Sequence, residues 1–513
     1  MGRARNSSHS FLYVNEYLKN IKMRILRVLF QFAAVIFTLS VSVSCKKSGS
    51  GNTPLPVVTK PMFSVTPDSL KFAAEGGNIA ITDSMNGSRW DASSDQSWCT
   101  LSAHSSTSAI SQLTVTAAAN PTINTRTATL TFVMDSKTVL YVYVSQIGKA
   151  TLYPSYKDSI APDPTGMSST AVQLAAKINL GWNIGNTMEA PGGETGWGNP
   201  PITENYIKFV KQSGFNAIRI PCAWYSHMDK AADAHIDSNW LKRVKQVVQY
   251  CVNNDMYVLL NIHWDGGWLE QNCTATKKDS VNAMQKAFWE QIAKTMRDFD
   301  EHLMFASANE PNTNNSAAQM DVLMSYHQTF VNAVRSTGGR NTYRSLVIQG
   351  DNQLININAF PTDPTPNRIM YEDHNYTPFQ FCALGDDASW GKMFYYWGAG
   401  HHSTIEPDRN PNWDCEEGAQ TKYFQMIKSK FIDKGIPVLM GEYGAYRRGG
   451  SAHVPKDLAT HNDAVDYWIT FTTKTAIANG LKPFFWDTGG ALDRRNNIVL
   501  DQRTINAIIA GSK

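Results

Sequence analysis

From residue 180 onward the chain repeats one pattern. A short, nearly unbroken apolar run is followed by a longer stretch whose apolar positions recur at helical spacing. The runs fall at 180–185, 217–220, 257–262, 303–308, 346–349, 369–374, 438–441 and 483–486. Helical periodicity is clearest at 204–214, 240–253, 283–299 and 320–337. Continuous apolar runs, as opposed to alternating ones, are what strands covered on both faces require, and a parallel sheet needs a crossover helix between successive strands. Eight such units over roughly 345 residues predict a (β/α)8 barrel with enlarged loops.

The preceding part of the chain reads differently. Basic Lys22, Arg24 and Arg27 lead into an apolar run from Val28 to Val43, and Ser44-Cys45 closes it. That order predicts a secretory signal with Cys45 as a lipidated N-terminus, and Met23 stands where such a signal would begin. The expected location is the bacterial outer membrane, at the cell surface or on its periplasmic face. A Ser/Gly/Pro tether follows. Short strands with period-2 alternation then recur at 63–65, 78–82, 112–116, 128–132 and 139–144, separated by Gly, Asn and Asp. They predict a small antiparallel β-sandwich. The expected divisions are signal and lipoprotein cysteine 1–45, tether 46–61, sandwich 62–149, Pro-rich linker 150–167 and barrel 168–513.

Composition excludes some partners. A formal charge of +3 over 513 residues gives no electrostatic case for nucleic acid. The His263-Trp-Asp run and the His401-His402 pair lack a third and fourth ligand at metal-binding spacing, and no Gly-rich phosphate loop is present, so neither metal nor cofactor is expected. Lipidation of Cys45 would leave six cysteines with no CxxC motif. Cys222 and Cys251 lie in apolar runs and are expected as buried thiols, whereas Cys382 and Cys415 are a possible bridge. A monomer is expected.

In a (β/α)8 barrel the reactive groups sit at the C-terminal ends of the strands. Those ends carry Arg219, His263, Asn309-Glu310, His374, Tyr376, Glu442 and Trp486. Fold stability alone would not gather two glutamates, two histidines, an arginine and a tryptophan there. Two carboxyl groups facing each other across the mouth suit glycoside hydrolysis, one as proton donor and one as nucleophile. Glu310 after the fourth strand is the candidate acid/base and Glu442 after the seventh the candidate nucleophile. Asn309 could bond a sugar 2-hydroxyl, and Tyr376 with Arg219 could keep Glu442 ionised.

These stretches resemble glycoside hydrolase family 5, in particular its β-glucanase and xyloglucanase members. The motifs are Gly181-Trp-Asn-Ile-Gly-Asn-Thr-Met-Glu-Ala-Pro191, Arg219-Ile-Pro, Asn261-Ile-His263, Ala308-Asn-Glu-Pro311, His374-Asn-Tyr376, Gly441-Glu-Tyr-Gly444 and Phe485-Trp486. The resemblance implies Glu310 as acid/base and Glu442 as nucleophile. It also implies substrate or support roles for Asn186, Glu189, Arg219, His263, Asn309, His374, Tyr376 and Trp486. Trp264 stands where many members carry a second histidine, and it joins the expected substrate residues. The sandwich segment resembles the BACON module through Trp90-Asp-Ala-Ser-Ser-Asp-Gln-Ser-Trp98, Arg126-Thr-Ala-Thr-Leu-Thr-Phe132 and Val144-Ser-Gln-Ile-Gly148. It is expected to be a spacer, with Trp90 and Trp98 as a sugar platform in the competing reading. The expected activity is retaining hydrolysis of a β-1,4-glucan: xyloglucan, mixed-linkage glucan or a cellulose-type chain. The alternatives are an endo-β-mannanase and an inactive surface glycan-binding lipoprotein.

Overall fold

A computed structural model describes residues 62–351, 357 and 359–513. The segment carrying Cys45 lies outside the described residues, as do 352–356 and 358. The barrel strands are β1 (Gly181–Ile184), β2 (Ala217–Ile220), β3 (Tyr257–Asn261), β4 (Leu303–Ala306), β5 (Leu346–Gln349), β6 (Ile369–Asn375), β7 (Val438–Tyr443) and β8 (Lys482–Asp487). They close in that order into a parallel barrel, with β8 pairing back onto β1.

Side-chain parity explains how this barrel carries a site. Ile218 and Ile220 of β2, Val258 and Leu260 of β3, and Leu303 and Phe305 of β4 belong to the core shared with the surrounding helices. The opposite parity points inward. Its lower layer, Ala217, Leu259, Met304, Val347, Met370, Leu439 and Phe484, packs with Leu174 and Ile178 from the short helix Ala171–Ala176 and the turn after it. Two residues further along β2, β3, β5 and β6 the inward set turns polar, at Arg219, Asn261, Gln349 and Glu372, and then at His374. Barrel interiors are packed layers of side chains, so the change from apolar to charged layer marks the end where chemistry occurs.

Glu442 breaks this parity. Counting by twos from Leu439 would turn Gly441 inward and Glu442 outward. The β6–β7 register slips here, with Asp373 opposite Met440 but His374 opposite Glu442. A matching irregularity against β8 falls between Met440 and Tyr443. This bulge turns Glu442 into the mouth, the kind of re-aiming for which bulges recur beside active sites. Gly441 is required at the slip, because a Cβ there would lie 2.0 Å from Glu372 Oε1.

The Pro-rich segment expected as a linker is strapped to the barrel. Glu290 accepts hydrogen bonds from Ser155 Oγ (3.0 Å) and the Tyr156 backbone N–H (2.6 Å), and Ile160–Pro162 pairs with Gly338–Gly339. The expected Cys382–Cys415 bridge does not form. All six cysteines among the described residues are buried, and Cys222, Cys251, Cys273, Cys382 and Cys415 are free thiols.

The N-terminal strands form two sheets. One orders Phe63–Thr66, Gly77–Met85, Ile110–Ala117 and Cys99–Leu101; the other orders Ser69–Phe72, Thr138–Gln146, Arg126–Met134, Trp90–Ser94 and Ser105–Ser106. Alternation is strict where it is longest: Ala128, Leu130, Phe132 and Met134 are buried while the residues between them are not. Trp90 is fully buried against Phe132, and its Nε1–H donates to Asp83 Oδ1 at 2.7 Å. It is therefore core and not a sugar platform, while Trp98 is half-buried.

Candidate active site

Arg219 organises the mouth of the barrel. It is fully buried, and each nitrogen meets a different strand or loop. Nε lies 2.8 Å from Glu372 Oε1 in an ion-pair contact, Nη1 donates to Glu442 Oε1 at 2.8 Å and to Asn183 Oδ1 at 3.1 Å, and Nη2 donates to Asn309 Oδ1 at 2.7 Å. Asn183 is itself fixed, since its Nδ2 donates to the carbonyls of Gly441 (2.8 Å) and Phe484 (3.2 Å). Asn309 spends its oxygen on Arg219 and thereby keeps its amide N–H groups for another acceptor.

The two candidate carboxyls have different environments. Glu442 is 5% exposed, and both its oxygens accept a hydrogen bond, from Arg219 and, at 3.0 Å, from Tyr376 Oη. Glu310 leaves its side chain 44% exposed, with Oε1 2.9 Å from His374 Nδ1. It sits in the loop after β4 at φ +47°, an uncommon conformation for a residue with a Cβ, and its backbone N–H donates to Gln349 Oε1 at 2.7 Å. One ligand atom from each of Glu310, His374 and Glu442 falls within 4.8 Å of the others.

His374 carries a charge between these carboxylates. Burial alone would lower its pKa, but the charge of Glu442 and hydrogen bonds with Glu310 and Glu372 lift it to about 10. Burial raises Glu310, yet the hydrogen bond and charge of His374, aided by Arg219, outweigh it and hold the carboxyl below its usual value. Burial raises Glu442 despite the opposing charges of His374 and Arg219, and the neighbouring Glu310 charge adds to the rise. The two glutamates and His374 therefore titrate as a coupled unit. The same three residues have the spacing of metal ligands, but a ligating histidine must be neutral, and the facing carboxylates favour the protonated form of His374.

His263 has the opposite character. Burial, then the charges of Arg219 and His374, push it well below its usual pKa, so it is neutral. Asn261 Oδ1 accepts from the Cys222 backbone N–H at 3.1 Å, which aims Asn261 Nδ2 at His263 Nδ1, 3.2 Å away. His263 Nδ1 is then the acceptor and Nε2 carries the proton. Its ring stacks beside Trp486 at 5.8 Å and 11°. Trp264 is 46% exposed.

The structure thus brings together Arg219, His263, Asn309, Glu310, His374, Tyr376, Glu442 and Trp486. Glu189 has another place. It is buried, with Oε2 accepting the Thr187 N–H at 2.9 Å and Oε1 the N–H of Asn186, so it braces the turn after β1. Asn186, at φ +56°, is part of that turn. Several partners were missed in the sequence. Glu372 bridges Arg219 and His374, and its signal was available, two residues before His374 on one strand face. Gln349 closes β5 on the inward parity. Arg494 reaches back from beyond β8 to the Gly185 carbonyl (2.6 Å), and nothing in its local sequence marks it.

A buried arginine and imidazolium between two facing glutamates, at the C-terminal mouth of a (β/α)8 barrel, are the site of a glycoside hydrolase. The family model for cellulase, glycosyl hydrolase family 5, matches residues 183–491, and the chain belongs to that family. Residues 62–148 match the model for a viral BACON domain. A xyloglucan-specific endo-β-1,4-glucanase of Bacteroides ovatus is 32% identical over 509 residues, covering 94% of this chain and 96% of that protein. Endoglucanase A of Paenibacillus barcinonensis is 32% identical over 67% of this chain and 90% of its own. Among solved structures, a Bacteroides ovatus family 5 xyloglucanase in complex with a XXXG heptasaccharide superposes with a TM-score of 0.65 at 31% identity, covering 88% of this chain and all of that one. A xyloglucan-specific β-1,4-glucanase from a ruminal metagenomic library gives 0.61 at 36% identity, over 67% of this chain and 96% of its own.

Proposed function

We propose that this enzyme is a retaining endo-β-1,4-glucanase acting on plant β-glucans, with xyloglucan, mixed-linkage glucan and cellulose-type chains as its substrate class. Glu442 is the nucleophile and Glu310 the acid/base. The observation that carries this reading is that one oxygen of Glu310 and one of Glu442 lie within 4.8 Å of each other. Retaining enzymes place the two groups about 5–5.5 Å apart, whereas inverting enzymes leave about 6.5–9.5 Å for a water between them.

The chemistry follows from the two environments. Glu442, with both oxygens hydrogen-bonded by Arg219 and Tyr376, is the carboxylate that attacks the anomeric carbon. The glycosidic C–O bond breaks as Glu310 gives its proton to the departing oxygen, leaving a glycosyl ester on Glu442. Glu310, now ionised, takes a proton from water as that water attacks the same carbon and frees Glu442. In the unliganded enzyme His374 holds Glu310 low. A bound chain displaces water from its half-exposed side chain, and lost solvation raises a carboxyl pKa, which favours the proton-carrying form when it is needed. Neutral His263 and Asn309 offer N–H donors to sugar hydroxyls, and Trp486 offers a ring face.

Purified protein assayed for new reducing ends is expected to cut β-1,4-glucans. A preference for mannan would favour the β-mannanase alternative, and no cleavage of any glycan would favour the inactive glycan-binding lipoprotein. We further propose export and lipid anchoring at Cys45, supported by the basic, apolar and cysteine order of residues 22–45. Among the described residues no helix is long and apolar enough to cross a membrane. Cys45→Ala is expected to move the protein to the soluble fraction; retention in salt-washed membranes would contradict the anchor.

A further inference from the structure

Glu310 stands on backbone that has to be held. Its φ of +47° lies in the left-handed region, which a residue with a Cβ adopts only where its surroundings impose it. The residues beside it are tied from different directions. Asn309 is bonded by Arg219, and the Asn312 N–H donates at 3.0 Å to the Glu270 carbonyl, in the loop after β3. Glu310 itself is tied by Gln349, whose Oε1 accepts the Glu310 N–H at 2.7 Å. That bond lies beyond the backbone ladder. β4 and β5 pair at Phe305 with Leu346 and Ala306 with Val347, and the Ser307 N–H donates to the Val347 carbonyl at 3.1 Å. From there onward side chains span the two strand ends.

One of them is His327, from the helix Ala317–Ser336. It is fully buried, with Nδ1 2.5 Å from Ser307 Oγ and Nε2 2.8 Å from the Gln349 carbonyl. A carbonyl can only accept, so Nε2 carries the proton and Nδ1 accepts from the serine hydroxyl. Burial pushes the imidazole down to about 4, which keeps it in that neutral form. The Ser307 carbonyl accepts in turn from Gln285 Nε2 at 2.9 Å, from the helix Lys278–Met296. On the far side of Gln349, the Gly350 N–H donates to Tyr371 Oη at 3.0 Å. Gln349 is 3% exposed and is fixed through its own carbonyl and through the next peptide.

We propose that Gln349 is a positioning residue for the acid/base: seated by His327, it fixes the Glu310 peptide so that the Glu310 carboxyl meets the departing glycosidic oxygen. The inference rests on the glycosidase reading above. Gln349 exchanges no proton with the substrate. Its loss is therefore felt in proportion to how much the leaving group needs the proton of Glu310. A sugar alkoxide departs poorly without one, whereas a dinitrophenolate needs little help.

The experiment measures kcat/KM, which reports the step that forms the glycosyl ester, on a soluble β-glucan and on a dinitrophenyl cello-oligosaccharide. Gln349→Met keeps the length of the side chain without its oxygen. Gln349→Asn, a second variant should the first not fold, withdraws the oxygen by one methylene. Gln349→Glu restores an oxygen at the original reach. Each is checked by thermal unfolding. In the folded Met or Asn variant the glucan rate is expected to fall about tenfold or more, the scale of a small misplacement of a reacting group, with a much smaller loss on the aryl substrate. Gln349→Glu should recover most of the glucan rate. Parallel loss on both substrates, no loss on glucan, a Gln349→Glu enzyme no better than Gln349→Met, or failure of both Met and Asn variants to fold overturns the positioning role and leaves Glu310 as acid/base. Wild-type enzyme that cleaves neither substrate overturns the glycosidase reading, and the positioning role with it.

Discussion

The sandwich and the barrel are built from strands with the same two-residue alternation, yet they use the buried parity in opposite ways. In Arg126–Met134 every buried position is apolar, and the buried Asp83 carboxylate is satisfied by Trp90 and Ser111. In the barrel the inward parity begins apolar at Ala217 and Met370 and ends charged at Arg219, Glu372 and His374. Burying charge is unfavourable unless it is paired, and pairing rarely returns more than the desolvation cost. A buried ionic layer is thus poorly explained by stability and well explained by work on a substrate. Among the described residues the sandwich buries no arginine, lysine or histidine beside a carboxylate.

The sharpest break between the two regions is expected at Arg219. Arg219→Met should abolish detectable hydrolysis, and it should destabilise the barrel by about 3–5 kcal/mol because Glu372 is left buried beside an apolar chain. Denaturant unfolding with parallel reducing-end assays checks both effects. Retained activity would show that the charged layer is structural and that the contrast fails. The equivalent change in the sandwich, Trp90→Phe, removes one donor to Asp83. It should weaken that module by about 1–3 kcal/mol and leave turnover on soluble glucan unchanged.

His374 gives a pH test. Its pKa is raised in the folded protein, so its contribution to stability is complete below the unfolded value of roughly 6.5 and disappears as pH rises through about 10. His374→Gln should remove that alkaline dependence from the unfolding free energy. It also deletes the cation that holds Glu310 down and opposes the rise of Glu442. Both carboxyls should become more basic, and the surviving rate profile should move to higher pH. A shift to lower pH would contradict the assigned charge. The smallest effect is expected from deletion of the sandwich. A chain beginning at Thr151, which keeps the strap around Ser155 and Tyr156, should match full-length kcat/KM on soluble glucan.

Much of this was legible in the sequence because parallel strands announce themselves as apolar runs, and all eight runs became barrel strands within a residue or two at most ends. The strand-end residues followed directly. Glu442 was found by its Gly-Glu-Tyr neighbourhood, whereas strand parity would have turned it outward, because a bulge leaves no trace in an alternation count. Glu372 was overlooked inside a run read as strand core, although its spacing from His374 placed both on one face. Arg494 and Gln349 act through the backbone of distant loops, and such partners depend on loop geometry that local pattern does not encode. Glu189 lies in the first strand's turn, where its hydrogen bonds to the Asn186 and Thr187 N–H groups brace the backbone, a role that the motif alone does not separate from touching a sugar.

We propose that, among the three glutamates gathered around His374, Glu442 alone attacks the sugar. A 2-deoxy-2-fluoro glucoside or cello-oligosaccharide with a good leaving group should form a long-lived ester, which peptide mapping by mass spectrometry can locate. A single adduct is expected on the peptide carrying Glu442, with Glu310 and Glu372 unmodified. An adduct on Glu310 or Glu372 would contradict it.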